Sequence, residues 1–185
     1  AVFKNAWRGI DLVGFNSTTD AIINGGEFCN LGEDTSVTQN SCAIEARTYK
    51  ENSKVNLTIN DVNIHDNKVG SDNANTIKGA INTFGNIVVN MNGGTIQNNT
   101  VRNNAKATAA ALTISTGVVF NMNGGTITGN TGNNGNTNQG NNTSQNTNFG
   151  TGTTSGGTGT NQTPDKESKY EADLNGGTAR VNSAT

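Results

Sequence analysis

A short Asn-Gly-Gly motif recurs along the chain and constrains the fold more than any other feature of the sequence. Four copies begin at Asn24, Asn92, Asn123 and Asn175, and Asn60-Asp61-Val62 fits the same frame. Successive copies are separated by 36, 32, 31 and 52 residues. Self-similarity at a period of this size is typical of a solenoid, in which each repeat forms one coil and stacks on the next.

The residues on either side of the motif alternate between apolar and polar. The apolar positions before the motif hold Ile23, Ile59, Met91, Met122 and Leu174, and two residues earlier Ala21, Leu57, Val89, Phe120 and Ala172. The apolar position after it holds Phe28, Ile64, Ile96, Ile127 and Ala179. A period of two predicts strands with one inward face, joined at the motif by a glycine corner. Weaker strands are predicted around Ile81 and Leu112.

These patterns predict an all-β fold, a parallel β-helix of about five coils with long loops at one corner, at 31–42, 68–78, 101–109 and 132–169. We expect it to be right-handed, as parallel crossovers generally are. Residues 1–131 form the coils, 132–169 a Gly/Asn/Thr-rich inserted loop, and 170–185 the final coil.

The chain has 34 Asn, 27 Thr and 24 Gly among 185 residues, and only 31% are hydrophobic. A slim coil needs few inward residues, and a net charge of −2 with a single proline argues against disorder.

A polar column lies three residues past the last inward position of each coil. It holds Asn67, Asn99, Asn130 and Asn182, after Leu31 in the first coil. Because equivalent residues of a solenoid stack at the spacing of β-strands, the asparagine amides are expected to bond to one another as a ladder.

The segment from Met122 to Thr131, Met-Asn-Gly-Gly-Thr-Ile-Thr-Gly-Asn-Thr, resembles the repeats of right-handed parallel β-helix proteins of microbial surfaces, within the pectate-lyase-like superfamily. The resemblance covers most of residues 9–131 and returns at 170–185. It implies the fold. The superfamily includes polysaccharide lyases, glycoside hydrolases, phage tailspikes, adhesins and structural surface proteins, so the resemblance does not choose a function.

Composition excludes several classes of function. No apolar run approaches the length of a membrane span, so no membrane insertion is expected. The 12 basic and 14 acidic residues leave no surplus of positive charge for nucleic acid. Two cysteines and one histidine lack the close spacing of a metal site, and no cofactor is predicted.

Cys29 and Cys42 bracket the first corner loop and are predicted to form a disulfide, with two separate thiols as the alternative. His65 is expected to be a solvated residue of the outward column that also holds Cys29, Gln97, Thr128 and Arg180.

The carboxylates best placed for catalysis are Glu27, Asp61 and Asp66, on adjacent coils near one corner. A glycosidase needs two such groups about 5–10 Å apart. However, the superfamily's lyase and hydrolase signatures are missing, and asparagine and threonine faces are poor catalysts, so we expect no enzyme. Candidate glycosylation sequons occur at Asn16, Asn56, Asn98, Asn141, Asn142 and Asn161.

The sequence therefore predicts a non-enzymatic extracellular protein that is structural or adhesive, such as the self-assembling subunit of a filament, sheath or surface layer. Its expected partners are copies of itself and surface glycans. The alternative is a carbohydrate-binding or carbohydrate-cleaving β-helix of the lyase, hydrolase or tailspike type. That alternative requires Glu27, Asp61, Asp66 or Trp7 to converge on one groove.

Overall fold

The computed structural model describes residues 1–34, 36, 40–70, 79–102, 110–131, 173–175 and 178–181. These residues form strands, turns and bends, and within them no helix is long and apolar enough to cross a membrane. The strands are β1 (Val2–Lys4), β2 (Arg8–Gly14), β3 (Thr18–Cys29), β4 (Cys42–Thr48), β5 (Lys54–His65), β6 (Lys68–Val69), β7 (Ile81–Phe84), β8 (Ile87–Met91), β9 (Gly94–Gln97), β10 (Thr100–Val101), β11 (Leu112–Ser115), β12 (Val118–Met122), β13 (Thr126–Thr128), β14 (Asp173–Asn175) and β15 (Thr178–Val181). The all-β class is confirmed.

The strands stack into two long parallel sheets. The first has the order β1-β3-β5-β8-β12-β15. In the same sheet β9 pairs with β5, and β13 pairs with β9. The second has the order β14-β11-β7-β4-β2. Neighbouring strands are parallel and come from successive passes of the chain, which defines a parallel β-solenoid. The described residues form about three turns, fewer than the expected five. The right-handed winding stays a prediction.

The predicted inward columns form the core. Ile59 pairs with Ile23 on one side and Met91 on the other, and Met91 pairs with Met122. The columns that contain Leu57 and Ile64 stack in the same way. These side chains are buried, except that Ala21 and Ile23 of the first coil are only partly covered. The weaker strands predicted around Ile81 and Leu112 are β7 and β11.

Glycine is required at the Asn-Gly-Gly corner because two turns approach there closely. Gly94 has a φ of +90°, and a Cβ at this position would overlap the carbonyl oxygen of Val62. Gly25 has a φ of +73° but more room, since the nearest atom to its Cβ position is the Asp61 oxygen at 3.8 Å. Asp61 itself has a φ of +50°, a conformation that Asp and Asn adopt more readily than other non-glycine residues.

The predicted alignment of the fifth motif copy is wrong. Leu174 pairs with Ile114 rather than with Met122, and Ala179 pairs with Phe120 rather than with Ile127. Asn175 therefore lies beside Ser115, at the corner between the two sheets. The earlier turns place Gly85 and Gly117 at this corner, both with positive φ. Both corners need glycine for the same steric reason, so a glycine motif alone does not tell them apart.

The corner loops were predicted at 31–42, 68–78, 101–109 and 132–169. The strands that open two of them, β6 and β10, pair in parallel through Lys68–Thr100 and Val69–Val101. An isolated parallel bridge then joins Thr100 to Thr131 on the next turn. The 132–169 tract and most of the other loop residues lie outside the described residues, as does much of the predicted final coil.

The predicted asparagine ladder is present through Asn67, Asn99 and Asn130, all buried. The Asn67 Nδ2 donates to Asn99 Oδ1 at 2.8 Å, and Asn99 Nδ2 donates to Asn130 Oδ1 at 2.8 Å. Each Nδ2 also donates to a backbone carbonyl, and the backbone N–H of Asn67 donates to Asn99 Oδ1 at 3.1 Å. A buried column of polar side chains is stable only when their N–H and C=O groups are hydrogen-bonded. Asn182 lies outside the described residues.

A second asparagine ladder runs along the outside of the solenoid. It consists of the first residue of four motif copies, Asn24, Asn60, Asn92 and Asn123. Their side-chain amides bond from turn to turn at 2.8–2.9 Å. The two ladders have the same residue type and spacing and differ in their exposure to water.

Candidate functional site

Four side chains with reactive or metal-binding atoms meet where β3 and β5 end. Cys29 and His65 are paired neighbours in the first sheet. His65 Nε2 lies 2.9 Å from Glu27 Oε1, and His65 Nδ1 lies 2.7 Å from Asp66 Oδ2. We call Glu27, Cys29, His65 and Asp66 the His65 cluster. Cys29 is buried, whereas the side chains of Glu27, His65 and Asp66 keep 40%, 23% and 54% of their exposure.

The two carboxylates set the electrostatics of this cluster. The hydrogen bonds that His65 donates to Asp66 and then to Glu27 raise the pKa of His65, despite its partial burial. The hydrogen bond with His65, followed by that with Cys29, lowers the pKa of Glu27. Burial raises the pKa of the Cys29 thiol, and the adjacent Glu27 raises it further. Both ring nitrogens of His65 lie within hydrogen-bonding distance of a carboxylate oxygen, which favours the protonated imidazole, and burial favours the neutral Cys29 thiol.

This arrangement resembles a nucleophilic Cys-His-Asp triad but lacks its activation. Such a triad needs an imidazole nitrogen that accepts the thiol proton and a thiol with a lowered pKa. Here the Nε2 of His65 is hydrogen-bonded to Glu27, and the Cys29 thiol is hydrogen-bonded to Glu27 rather than to the imidazole. The raised pKa of Cys29 keeps its sulfur protonated, so the cluster is unsuited to nucleophilic catalysis.

The predicted catalytic carboxylates are only partly brought together. Glu27 and Asp66 contact opposite nitrogens of His65. Asp61 lies at the corner of β5, where its Oδ1 would be 2.5 Å from a Cβ on Gly93 of the next turn. Trp7 packs against Arg102, whose guanidinium carbon lies 4.9 Å from the ring centroid. The contact of Glu27 and Asp66 with His65 was not predicted, although the predicted column placed His65 beside Cys29.

The column that contains His65 is otherwise as predicted through Cys29, Gln97 and Thr128. Arg180 was expected in the same column but pairs with Asn121, because of the altered register of the last strands. The signal that identifies the cluster is the adjacent column, which places Glu27 two residues before Cys29. A side chain as long as glutamate reaches across that distance to the imidazole of the next turn.

The two cysteines are both buried, Cys29 at the end of β3 and Cys42 at the start of β4. The structure has no S–S bond between them. The disulfide therefore stays a prediction. It concerns the His65 cluster directly, because a disulfide would consume the Cys29 thiol.

Three of the candidate sequon asparagines fall in the described part of the chain. Asn16 and Asn98 are exposed and have φ values of +56° and +53°. Asn56 is half-buried, and its Nδ2 donates to Asp20 Oδ1 at 2.7 Å on the neighbouring strand. Asn141, Asn142 and Asn161 lie outside the described residues. Glycosylation of all six stays a prediction.

An exposed apolar strip crosses three turns on the second sheet, and sequence analysis did not identify it. Val13, Arg47 and Phe84 are successive partners in one column, and Phe15 and Tyr49 follow the paired residues Gly14 and Thr48. We call Val13, Phe15, Tyr49 and Phe84 the aromatic strip, whose members are 41%, 60%, 58% and 52% exposed. The Tyr49 and Phe84 rings lie 6.3 Å apart.

Charged groups border the aromatic strip. The Arg47 guanidinium lies 5.7 Å from the Tyr49 ring centroid, and it forms an ion pair with Asp11 at 2.6 Å. Arg8 pairs with the buried Glu45 at 2.8 Å. The strip therefore combines exposed aromatic rings with hydrogen-bonding groups that are held in place.

Comparison with known proteins gives no relative for this chain: no family model, no curated protein and no solved structure matches it. The parallel β-solenoid is thus defined by the structure itself, and function has to be argued from the sites on it.

Proposed function

We propose that this chain is a non-enzymatic structural or adhesive protein of a cell surface, which acts by lateral contact of the solenoid with copies of itself. The observation that carries the proposal is the aromatic strip. Its exposed side chains lie on successive turns, so they form one continuous contact surface.

The strip has the composition of an association surface. Contiguous apolar patches on soluble monomers are uncommon and mark interaction sites. Tyrosine, phenylalanine and arginine are enriched in protein interfaces, and the ion pair of Arg47 with Asp11 supplies a polar rim. Burial of such surface contributes about 25 cal/mol per Å² before the entropic cost of association is subtracted.

The solenoid supplies a rigid support for this surface. Both asparagine ladders and the parallel sheets tie each turn to the next, so the strip residues are held in a fixed register. The resemblance to surface β-helix repeats supports an adhesive or structural role, and the outward sequons and the two cysteines support an extracellular location.

The test is the state of association of the complete chain, measured by negative-stain electron microscopy and light scattering. The wild-type protein should form lateral assemblies, and the double variant Tyr49→Ala/Phe84→Ala should dissociate into single solenoids. Ile22→Ala is the matched control, because Ile22 is 66% exposed but lies on the first sheet. A wild-type protein that remains monomeric at high concentration would refute self-association.

Carbohydrate binding at the same strip is the second candidate, favoured by the conjunction of Tyr49, Phe84 and Arg47. Aromatic rings stack on sugar faces, and the ion pair of Arg47 with Asp11 offers hydrogen-bonding groups for hydroxyls. A glycan array separates the candidates. Binding of a polysaccharide by the monomer, lost in Tyr49→Ala, would replace self-association as the function. Cleavage of that polysaccharide, lost in Glu27→Gln, would establish an enzyme.

A further inference from the structure

We propose that Glu27, Cys29 and His65 form a binding site for one divalent transition-metal ion, for which Zn²⁺ is the best chemical match. One ligand atom from each residue, a carboxylate oxygen, the Cys29 Sγ and an imidazole nitrogen, lies within 4.8 Å of the other two. The ligands come from two adjacent turns, so the ion would join β3 to β5. This inference does not depend on the proposed adhesive function.

The set of donor atoms selects the class of metal. Thiolate, imidazole and carboxylate are the three ligand types that zinc sites use, with bonds of about 2.0–2.3 Å. Tetrahedral bonds of that length place ligand atoms about 3.5 Å apart, so the site has to contract slightly around the ion. Glu27 permits this contraction because its side chain is 40% exposed, so packing restrains it less than a buried side chain. Hard cations such as Ca²⁺ and Mg²⁺ prefer oxygen ligands and are disfavoured by the sulfur.

Asp66 gives independent support, because it orients the imidazole for metal binding. Its Oδ2 lies 2.7 Å from His65 Nδ1, so Nδ1 keeps its proton and Nε2 faces Glu27 and Cys29. A carboxylate on the distal nitrogen of a ligating histidine is a regular feature of zinc sites. Asp66 itself has a φ of +52°, which places its carboxylate at the chain reversal directly after β5.

The ion would supply the positive charge that protons otherwise provide in the cluster. Metal binding displaces the proton from the thiol and one proton from the imidazole, and the released protons go to solvent. Three protein ligands leave a fourth position for water, which the exposed sides of Glu27 and His65 admit. Lys4 pairs with Cys29 on the outer strand β1, and its positive charge repels a cation but favours the thiolate form of Cys29.

The test is a titration of the complete, reduced and metal-free chain with Co²⁺, which reports thiolate ligation by a sulfur-to-metal charge-transfer band. We expect one Co²⁺ per chain, displaced by Zn²⁺. Cys29→Ser should abolish the band, and His65→Gln and Glu27→Gln should weaken binding at least tenfold. Asp66→Asn should retain the band with affinity reduced about tenfold, as expected for an orienting residue.

Cys42→Ser is the matched control, because Cys42 is also a buried cysteine but lies on the other sheet. It should keep both the band and the affinity. Circular dichroism of each metal-free variant shows whether a lost band reflects lost structure, and Glu27→Gln, at a half-exposed position, is the variant least able to disturb the fold. The proposal is overturned by a wild-type chain without the band, by an equal band in Cys29→Ser, or by a native protein that carries a Cys29–Cys42 disulfide.

Discussion

The buried asparagine ladder makes a quantitative prediction about Asn99→Ala. The Asn99 side chain accepts from the N–H and Nδ2 of Asn67 and donates to the carbonyl oxygen of Ile64 and to Asn130 Oδ1. Asn99→Ala removes these four hydrogen bonds and leaves the buried backbone N–H of Asn67 without its acceptor, Asn99 Oδ1. The other three groups keep a second bond or a free lone pair.

The expected loss of stability follows from these contacts. An orphaned buried donor costs about 1–3 kcal/mol, and each of the other lost bonds costs about 0.5–1 kcal/mol. The free energy of unfolding should therefore fall by about 2.5–6 kcal/mol. The ladder as a whole should remain, because Asn67 Nδ2 still donates to the Phe28 oxygen and Asn130 Nδ2 to the Ile96 oxygen.

Asn92→Ala is the control, because Asn92 is a rung of the exposed ladder only seven residues away on the same turn. Its side-chain hydrogen bonds to Asn60 and Asn123 are 2.9 and 2.8 Å long, close to the 2.8 Å of the equivalent bonds of Asn99, but water replaces them when they are lost. We expect a cost below about 1 kcal/mol. Urea unfolding with a common m-value measures both variants. Losses that agree within about 1 kcal/mol would refute the argument that burial makes the inner ladder essential.

Three further predictions concern the inner ladder, the glycine corner and the metal site. Asn99→Asp should destabilise the fold more at neutral than at acidic pH, because protonation removes a buried charge and restores one donor; urea midpoints at the two pH values measure this. Gly94→Ala should cost about 3 kcal/mol or more and Gly25→Ala about 1 kcal/mol, since both have positive φ but only the first overlaps a backbone oxygen; equal urea midpoints would contradict this. Zn²⁺ at about 100 times its Kd should stabilise the wild type by about 2.7 kcal/mol and leave Cys29→Ser unchanged in the same assay.

The sequence was sufficient to predict the fold because a solenoid repeats its columns. Ile59, Leu57 and Ile64 each pair with the residues that the motif frame assigned to them. The same reasoning placed Asn99 between Asn67 and Asn130. It failed for Leu174 and Ala179, because their copy follows a long interval and glycine is needed at more than one corner of the coil.

The candidate site was less predictable because it depends on contacts between columns rather than within them. Glu27 and His65 belong to different columns, and only the reach and direction of their side chains bring them together. The aromatic strip was missed for a similar reason. Tyr49 directly follows β4 and Phe84 ends β7, both outside the Asn-Gly-Gly frame and on or beside strands whose alternation is weaker, so no column marked them as neighbours.

Cys29 links the two chemical interpretations of the site, because one sulfur atom cannot serve both. A disulfide with Cys42 would tether the first corner loop and requires an oxidising environment. A metal requires the thiolate, and the raised pKa of Cys29 means that the free thiol is held neutral until a cation arrives. The native oxidation state therefore decides between them. Intact mass after alkylation of the purified protein, unfolded with a chelator and without reductant, should show two modified cysteines if the metal site is correct, and none if the disulfide forms.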